Sequence, residues 1–580
     1  MFYLPFELKT CNQECGKECG VSLANCPTYQ QLPALWQEKC QNSLHLLRYL
    51  RTLSLHKLGL PQFCEKLERS MGAEKNPNLL YPLEENIFIH ILANSEDVRN
   101  HYIPVEPSLA EGLDSLLDTV EARLADFVDE LDGIPDAAKR VEVVLKIVDR
   151  LVTVRGGNGG KPAGGNGNGG KHKVKDKIVL TTAQYLSLRY LLQRKLEGLG
   201  VLEPMIRDPY IEDVSCSGLG NIFVEHKIFG GLKTAIGFDT HTDLDKFVIQ
   251  LAERIKHPVT FRDPCVDATL PDGSRINIVY GTDVSKRGSN FTIRKFSGIP
   301  MSILELIQTG ALNYEMAAYL SVIIQEQMNV WVSGETASGK TTLMNALATF
   351  IPPEDKIVSI EDTPEVQVPH PNWIRGVTRG SAKNTDATEV SMFDLLKAAL
   401  RQRPNFIIVG EIRGVEGAIA FQAMQTGHAC MSTFHAASVT KLIQRLTGNP
   451  INVPKSYVDN LNVVVITSLV RLPNGRNGRR VVSINEIVNY DSVSDSFSFI
   501  ESFVWNPVND TFEFKGYMNS YLLEYKIAPR RGIPRDKKRQ IYTQVKKRAE
   551  VLERIQKQKI TNFYDLHGVL SKAYREGYFR

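Results

Sequence analysis

Apolar positions change their spacing several times along the chain, and each change marks a change of architecture. From about residue 28 to 155 they keep helical spacing: Gln41–Arg51, Leu109–Leu131 and Asp136–Val154 each carry one apolar face. Between them His101-Tyr-Ile-Pro-Val-Glu-Pro107 reads as extended, because each proline biases the residue before it away from helix. From Thr181 the pattern is mixed. Thr182–Leu199 and Asp243–Ile255 read as helices. Ile211–Cys216, Asn221–Glu225, Val266–Leu270, Arg275–Tyr280 and Asn290–Phe296 read as strands, with Pro271-Asp-Gly273 as a turn.

Beyond residue 328 the strand candidates become apolar throughout. Asn329–Ser333, Lys356–Ile360, Phe406–Val409, Ala429–Thr433 and Val463–Leu469 alternate with helical stretches, which predicts a mostly parallel sheet covered on both faces. Arg471-Leu-Pro-Asn-Gly475 and Asn506-Pro-Val-Asn-Asp510 are turn chemistry between alternating runs and predict antiparallel hairpins. In the tail, Ile541, Val545, Leu552 and Ile555 return to helical spacing, and a second helix is expected over Phe563–Tyr574.

Composition refines this picture. A chain of 580 residues holds several domains, and 43% hydrophobic with 23% charged residues is ordinary for a water-exposed globular protein. No apolar run reaches the length of about 18 residues needed to span a bilayer, and no signal-peptide pattern opens the chain, so a cytoplasmic location is expected. A net charge of +4 does not by itself argue for nucleic acid. Gly156–Gly170 is almost all Gly and Asn, which cannot bury apolar surface. The divisions that follow are 1–155 (helical, Cys-rich), 156–177 (linker or loop), 178–300 (α/β), 301–470 (α/β), 471–528 (β-hairpins) and 529–580 (basic helical tail).

Cys11, Cys15, Cys19 and Cys26 crowd the start. Four thiolates are candidate ligands for zinc or an iron–sulfur cluster, although the spacing is not the paired Cys-x2-Cys of either site. The alternative is a set of reduced thiols in a small accessory module. The tail from Pro529 holds fifteen Lys/Arg against five Asp/Glu. That surface is either a solvated face packed on its own domain or a dock for an anionic membrane or partner.

The chemistry concentrates after the strand Asn329–Ser333. Gly334-Glu-Thr-Ala-Ser-Gly-Lys-Thr341 fits Gly-x-x-x-x-Gly-Lys-Thr, with Thr342 opening a helix. Gly334 and Gly339 allow close backbone approach, and the amides across Glu335, Thr336, Ala337 and Ser338 can then face phosphate oxygens. Lys340 neutralises the β- and γ-phosphates, and the Thr341 hydroxyl suits Mg²⁺. Three later segments add to it. Glu361 and Asp362 end a strand, Glu411 ends Phe406-Ile-Ile-Val-Gly-Glu411, and His435 ends the strand after Thr426-Gly-His428. Strand C-termini of a doubly wound sheet converge on the ligand crevice, where a carboxylate orients water or holds Mg²⁺ and a histidine senses the γ-phosphate.

In this order the motifs resemble the Walker A, Asp box, Walker B and His box of the secretion ATPase superfamily of type II secretion, type IV pilus and VirB11-like ATPases. Asp208-Pro-Tyr-Ile-Glu-Asp213, Leu270–Arg275 and Phe291–Lys295 extend the likeness upstream, over about residues 180–470. The element at 102–107 looks most like archaeal members. The resemblance implies a RecA-like P-loop motor domain preceded by a smaller α/β N-terminal domain and a mostly helical extension. It implies ATP and Mg²⁺ as cofactors, with Glu361 as the catalytic carboxylate and Glu411 supporting metal through water. It further implies a homo-hexamer on a polytopic membrane platform protein, acting indirectly on pilin-like subunits. Arg262, Arg275 and Arg294 are candidates to close on the γ-phosphate, and Arg375, Arg379 and Arg413 are weaker ones of the same type. The other readings are a VirB11-like conjugation ATPase and a RecA-type nucleic-acid motor. The sequence argues against the last, since it shows no aromatic-basic interleaving.

Overall fold

The computed structural model describes residues 27–30, 32–53, 58–84, 87–94, 97–107, 113–130, 137–155, 177–196, 198–270, 272–296, 298–379 and 390–578. The cysteines at 11–26, the Gly/Asn stretch 156–170 and Pro271 lie outside them. The chain forms two compact units, Met1–Ser297 and Gly298–Arg580.

In the first unit a ten-stranded sheet gathers strands from distant parts of the sequence. They are β1 (Gln62–Phe63), β2 (Asn78–Glu84), β3 (Ile87–Leu92), β4 (His101–Val105), and, after the separate pair β5 (Val152–Arg155) and β6 (Ile178–Thr181), β7 (Ile211–Cys216), β8 (Gly220–His226), β9 (Gly230–Phe238), β10 (Cys265–Thr269), β11 (Arg275–Val279) and β12 (Asn290–Arg294). Their order is β1-β2-β3-β4-β9-β8-β7-β12-β11-β10. The sequence reading found only 101–107 extended in the region it took as mostly helical. Helices do form at Ala34–Asn42, Leu44–Thr52, Leu113–Leu124 and Ala137–Leu151, but 62–105 supplies four strands that join the downstream sheet. The physical reason is in the residues: Ile87-Phe-Ile-His-Ile-Leu92 is buried at every position, so it has no polar face for a period to reveal.

A buried polar knot ties this sheet together. Asp208 is fully buried and accepts hydrogen bonds from the Tyr81 hydroxyl (2.6 Å), the Tyr102 hydroxyl (2.9 Å) and the Tyr210 N–H (2.8 Å), while Lys295 donates to its carbonyl. Tyrosines from β2 and β4 thereby meet the turn before β7.

The second unit is a nine-stranded sheet: β13 (Val330–Gly334), β14 (Ile357–Glu361), β15 (Trp373–Val377), β16 (Phe406–Ile412), β17 (Ala429–Phe434), β18 (Val463–Arg471), β19 (Asn477–Asp491), β20 (Ser496–Asn506) and β21 (Thr511–Glu513). The order is β15-β14-β16-β17-β13-β18-β19-β20-β21, parallel as far as β18 and antiparallel after it. Alternation along each strand feeds two cores. Val330, Val332, Phe406, Ile408, Met431 and Val465 face one, with the helices Tyr314–Gln325 and Lys340–Ala348. Trp331, Ile407, Val409, Cys430 and Val464 face the other, with helices Met392–Arg401, Glu416–Gln425 and Val439–Thr447. Large side chains buried this way contribute roughly 1.5–3 kcal/mol each. Ser302 and Ser391 close capping boxes at their helices, worth about 1 kcal/mol apiece.

Both expected hairpins are present, β18–β19 and β20–β21. Glu486 of β19 is fully buried and accepts from four donors: the hydroxyls of Tyr319 (2.8 Å), Ser502 (2.7 Å) and Ser520 (2.6 Å) and the Leu522 N–H (2.9 Å). The tail helix Ile541–Lys557 turns Ile541, Val545, Leu552 and Ile555 into the core shared with Tyr314–Gln325 and leaves Lys546, Lys547 and Arg554 exposed. Among the described residues no helix is long and apolar enough to cross a membrane.

Candidate active site

The loop 334–340 hangs from β13, between β17 and β18. Its shape is fixed by contacts that a side chain at Gly334 would destroy: a Cβ there would lie 2.3 Å from the Thr467 carbonyl oxygen and 2.6 Å from Ser338 Oγ. Ala337 (φ 61°) and Gly339 (φ 89°) are both left-handed, and ordinary residues alternate with them, the pattern that curls successive N–H groups into an anion-binding concavity. For Ala337 that conformation costs roughly 1–2 kcal/mol. Ser338 Oγ donates to the Glu335 carbonyl (2.8 Å) and meets Thr467 Oγ1 at 3.1 Å. Lys340 Nζ donates to the same carbonyl at 2.9 Å. Burial lowers the Lys340 pKa, and Glu411 and Glu365 oppose the shift, so an anion arriving in the loop would favour its charged form. Helix Lys340–Ala348 begins here with half-buried Thr341 and Thr342 in its first turn. A left-handed glycine, a lysine and a helix N-terminus together fit a phosphate group.

The carboxylates sit where strands end. Glu361 closes β14 and is only 1% exposed. Its Oε1 accepts from the N–H groups of Glu365 (2.7 Å) and Val366 (2.5 Å), and its Oε2 accepts from Arg375 Nε (3.2 Å). Burial pushes its pKa up to about 7 against those stabilising donors. Glu411 lies on β16 just past a β-bulge between Val409 and Glu411, half-buried, with Arg413 Nη2 2.7 Å from its Oε2. A bulge re-aims the side chains that follow it. His435 follows β17 and is half-buried, and its carbonyl accepts from Arg445. His428 pairs with the Thr426 hydroxyl at 3.1 Å, the structural role a helix-end histidine usually has. Asp362 is exposed and accepts from the Thr378 hydroxyl at 2.8 Å.

In the second unit, then, the fold gathers the loop, Glu361, Glu411 and His435 along the C-terminal ends of β13, β14, β16 and β17. A hydroxyl at Thr341 and a carboxylate at Glu411 are hard-oxygen groups of the kind that suit Mg²⁺. Arg375, taken from the sequence as a weak phosphate candidate, serves Glu361 and lies over the Trp373 ring at 5.4 Å. Arg379 bridges to Val390, and Arg413 is mostly exposed beside Glu411. Arg262, Arg275 and Arg294 belong to the first unit. There Arg275 pairs with Asp267 (2.6 Å), Arg294 with Asp213 (3.4 Å), and Arg262 is exposed. No cluster of metal-ligating side chains occurs among the described residues, and the four N-terminal cysteines fall outside them.

Sequence reading missed three residues that shape the site. Asn345 donates to the Glu365 carbonyl (3.0 Å) and accepts from Gln367 N–H (3.1 Å), tying the segment after Glu361 to the loop's own helix. Thr467 holds Ser338, and Arg479 Nε donates to the Ala337 carbonyl at 3.0 Å. This bond is solvent-exposed, so its contribution is screened well below the roughly 1.5–3 kcal/mol of a buried charge-assisted bond. No local signal in the sequence announces the last two, which act across more than 120 residues.

Residues 195–560 match the profile of the family described as "Type II/IV secretion system protein". The uncharacterized protein MJ0900 of Methanocaldococcus jannaschii is 42% identical over 93% of this chain and 97% of its own. The probable conjugal transfer protein TrbB of Sinorhizobium fredii is 30% identical over 53% of this chain and 94% of its own. Among solved structures, the Legionella pneumophila ATPase DotB aligns with 47% of this chain and 76% of its own at 19% identity, with a TM-score of 0.35.

Proposed function

The chain belongs to the type II/IV secretion system protein family, and we propose from that premise that it hydrolyses ATP to ADP and phosphate to drive a secretion or pilus machine. The observation that carries the proposal is the phosphate-type loop 334–341 with a buried glutamate, Glu361, and a second, Glu411, at neighbouring strand ends.

The roles follow from chemistry. The loop's amides and Lys340 bind the phosphates. Thr341, with Glu411 through water, would hold Mg²⁺, which would offset charge on the phosphates. Glu361 in its ionised form orients the attacking water and takes its proton, with its carboxylate fixed by Arg375 and two N–H groups. His435 contacts the γ-phosphate. Arg262, Arg275 and Arg294 are the guanidinium groups proposed for that phosphate, supplied in cis or by a neighbour in a hexamer. Gain of γ-phosphate contacts biases the closed state, and their loss on hydrolysis releases it.

On this reading a cytoplasmic ring transmits closure to a polytopic membrane platform protein, which moves pilin-like subunits, as in type IV pilus, archaellum or type II secretion systems. The 30% identity to a protein named for conjugal transfer supports a second reading, a VirB11-like ATPase of a conjugative system. Phosphate release from ATP by purified Lys340→Ala tests the first step. A fall of about 100-fold or more is expected, and turnover at the parent rate would overturn the assignment.

A further inference from the structure

Arg479 and Arg480 are neighbours on β19, so their side chains leave opposite faces of the strand. Arg480 is buried and pairs bidentately with Asp510 (Nε and Nη2, both 2.7 Å), and it also donates to the Thr309 carbonyl at 3.1 Å. That clamp fixes the register and roll of β19 at this point. Arg479 must then face the other way, toward the phosphate-type loop. There its Nε donates to the Ala337 carbonyl, and its Cδ lies 3.3 Å from where a Gly339 Cβ would be.

We propose that Arg479 is a positioning residue for the nucleotide. Through the Ala337 carbonyl it holds the middle of the loop in the shape that receives the β-phosphate, and it makes the β18–β19 hairpin the loop's support. This rests on the nucleotide-site reading above and adds to it a second anchoring point. Thr467 of β18 fastens Ser338, near the end of the loop, through paired hydroxyls. Arg479 fastens Ala337, the one non-glycine residue of the loop with positive φ. Turning that carbonyl outward is what leaves the following N–H groups free to face inward. Arg480 separately ties β19 to the β20–β21 turn at Asp510, so the two arginines serve different neighbours.

Support of the loop acts equally on bound ATP and on the transition state, which predicts a particular kinetic signature. In Arg479→Ala the Kd for a fluorescent (methylanthraniloyl) ADP and the KM for ATP should both rise about tenfold, while kcat stays within about twofold. Hydrogen exchange supplies a readout that a merely structural residue would not move. ADP should slow exchange in the turn 472–476 of the parent, and saturating ADP should fail to do so in Arg479→Ala. Arg479→Lys keeps the charge but lacks the Nε donor, and it should fall between the two. If Arg479→Ala does not fold, the Lys variant decides. A parent-like KM and a parent-like exchange response in a folded variant overturn the proposal. Lys340→Ala separates the two levels: if it binds ADP as the parent does, the nucleotide-site reading fails, whereas unchanged binding in the Arg479 variants alone defeats only this inference.

Discussion

At the scale of single residues, Glu361 holds a carboxyl between opposing influences. Burial raises its pKa to about 7 from an ordinary 4.5, while Val366, Arg375 and Glu365 pull it down. The folded chain therefore binds more protons than the unfolded one between those two values. Its stability falls as pH rises through that window, by up to about 3 kcal/mol once the group is ionised. Glu361→Gln stays neutral. Nucleotide-free Glu361→Gln should melt above the parent at pH 8 and approach it toward pH 5, and equal melting at pH 8 would refute the burial argument. If Glu361 is the base, parent kcat/KM should also show an acid limb near pH 7. The position of Glu361 was readable in the sequence as a carboxylate ending an apolar strand. Its partners Arg375 and Asn345 were not, because their geometry depends on the register of β15 and on the roll of the loop's helix.

Among the elements, the C-terminal helix Phe563–Arg575 shows how packing sets a pH response. His567 on it faces His370 of the β14–β15 connection, ring centroids 4.8 Å apart. Burial lowers both pKa values, His567 to about 4, with His370 as a further cause, while Glu354 acts in the other direction on His370. The unfolded chain takes up protons at these groups first, so this contact is fully stable above about pH 6.5 and weakens as pH falls toward 4. Hydrogen exchange of the helix should accelerate over that window in the parent and less so in His567→Phe. Identical profiles would show that the pair does not hold the helix. Strongly patterned elements were legible beforehand: β14, β16, β17, β18 and both tail helices lie within a few residues of expectation. Besides β1–β3, weakly patterned strands such as β9 and β15 were not. In β9 the run Gly230-Gly-Leu-Lys-Thr-Ala-Ile-Gly-Phe238 has three glycines and a lysine to obscure its alternation, and β15 is a five-residue edge strand after His370-Pro371.

For the whole molecule, the division into two units sets what each can do alone. Every contact described around the phosphate-type loop lies within Gly298–Arg580, whereas Arg262, Arg275 and Arg294 lie in the other unit. Replacing each of those arginines by alanine in the full chain should leave ADP affinity nearly unchanged, and at least one replacement should lower ATP turnover about tenfold or more. If all three turn over within twofold of the parent, none of these arginines serves the reaction. The sequence revealed which half holds the loop, since motif and strand are local. It hid the sheet that joins 62–105 to 211–294, because β4 meets β9 through pairings such as His101 with Lys233, more than a hundred residues apart.

Glu486 draws together the helix Tyr314–Gln325, β20 and the segment 520–522, each contributing hydroxyls or an N–H to one carboxylate. Energy in such a hub belongs to the set and not to its members, since loss of one donor changes what the others are worth. Replacing any one of Tyr319, Ser502 and Ser520 should therefore cost an amount that depends on whether the other two are in place.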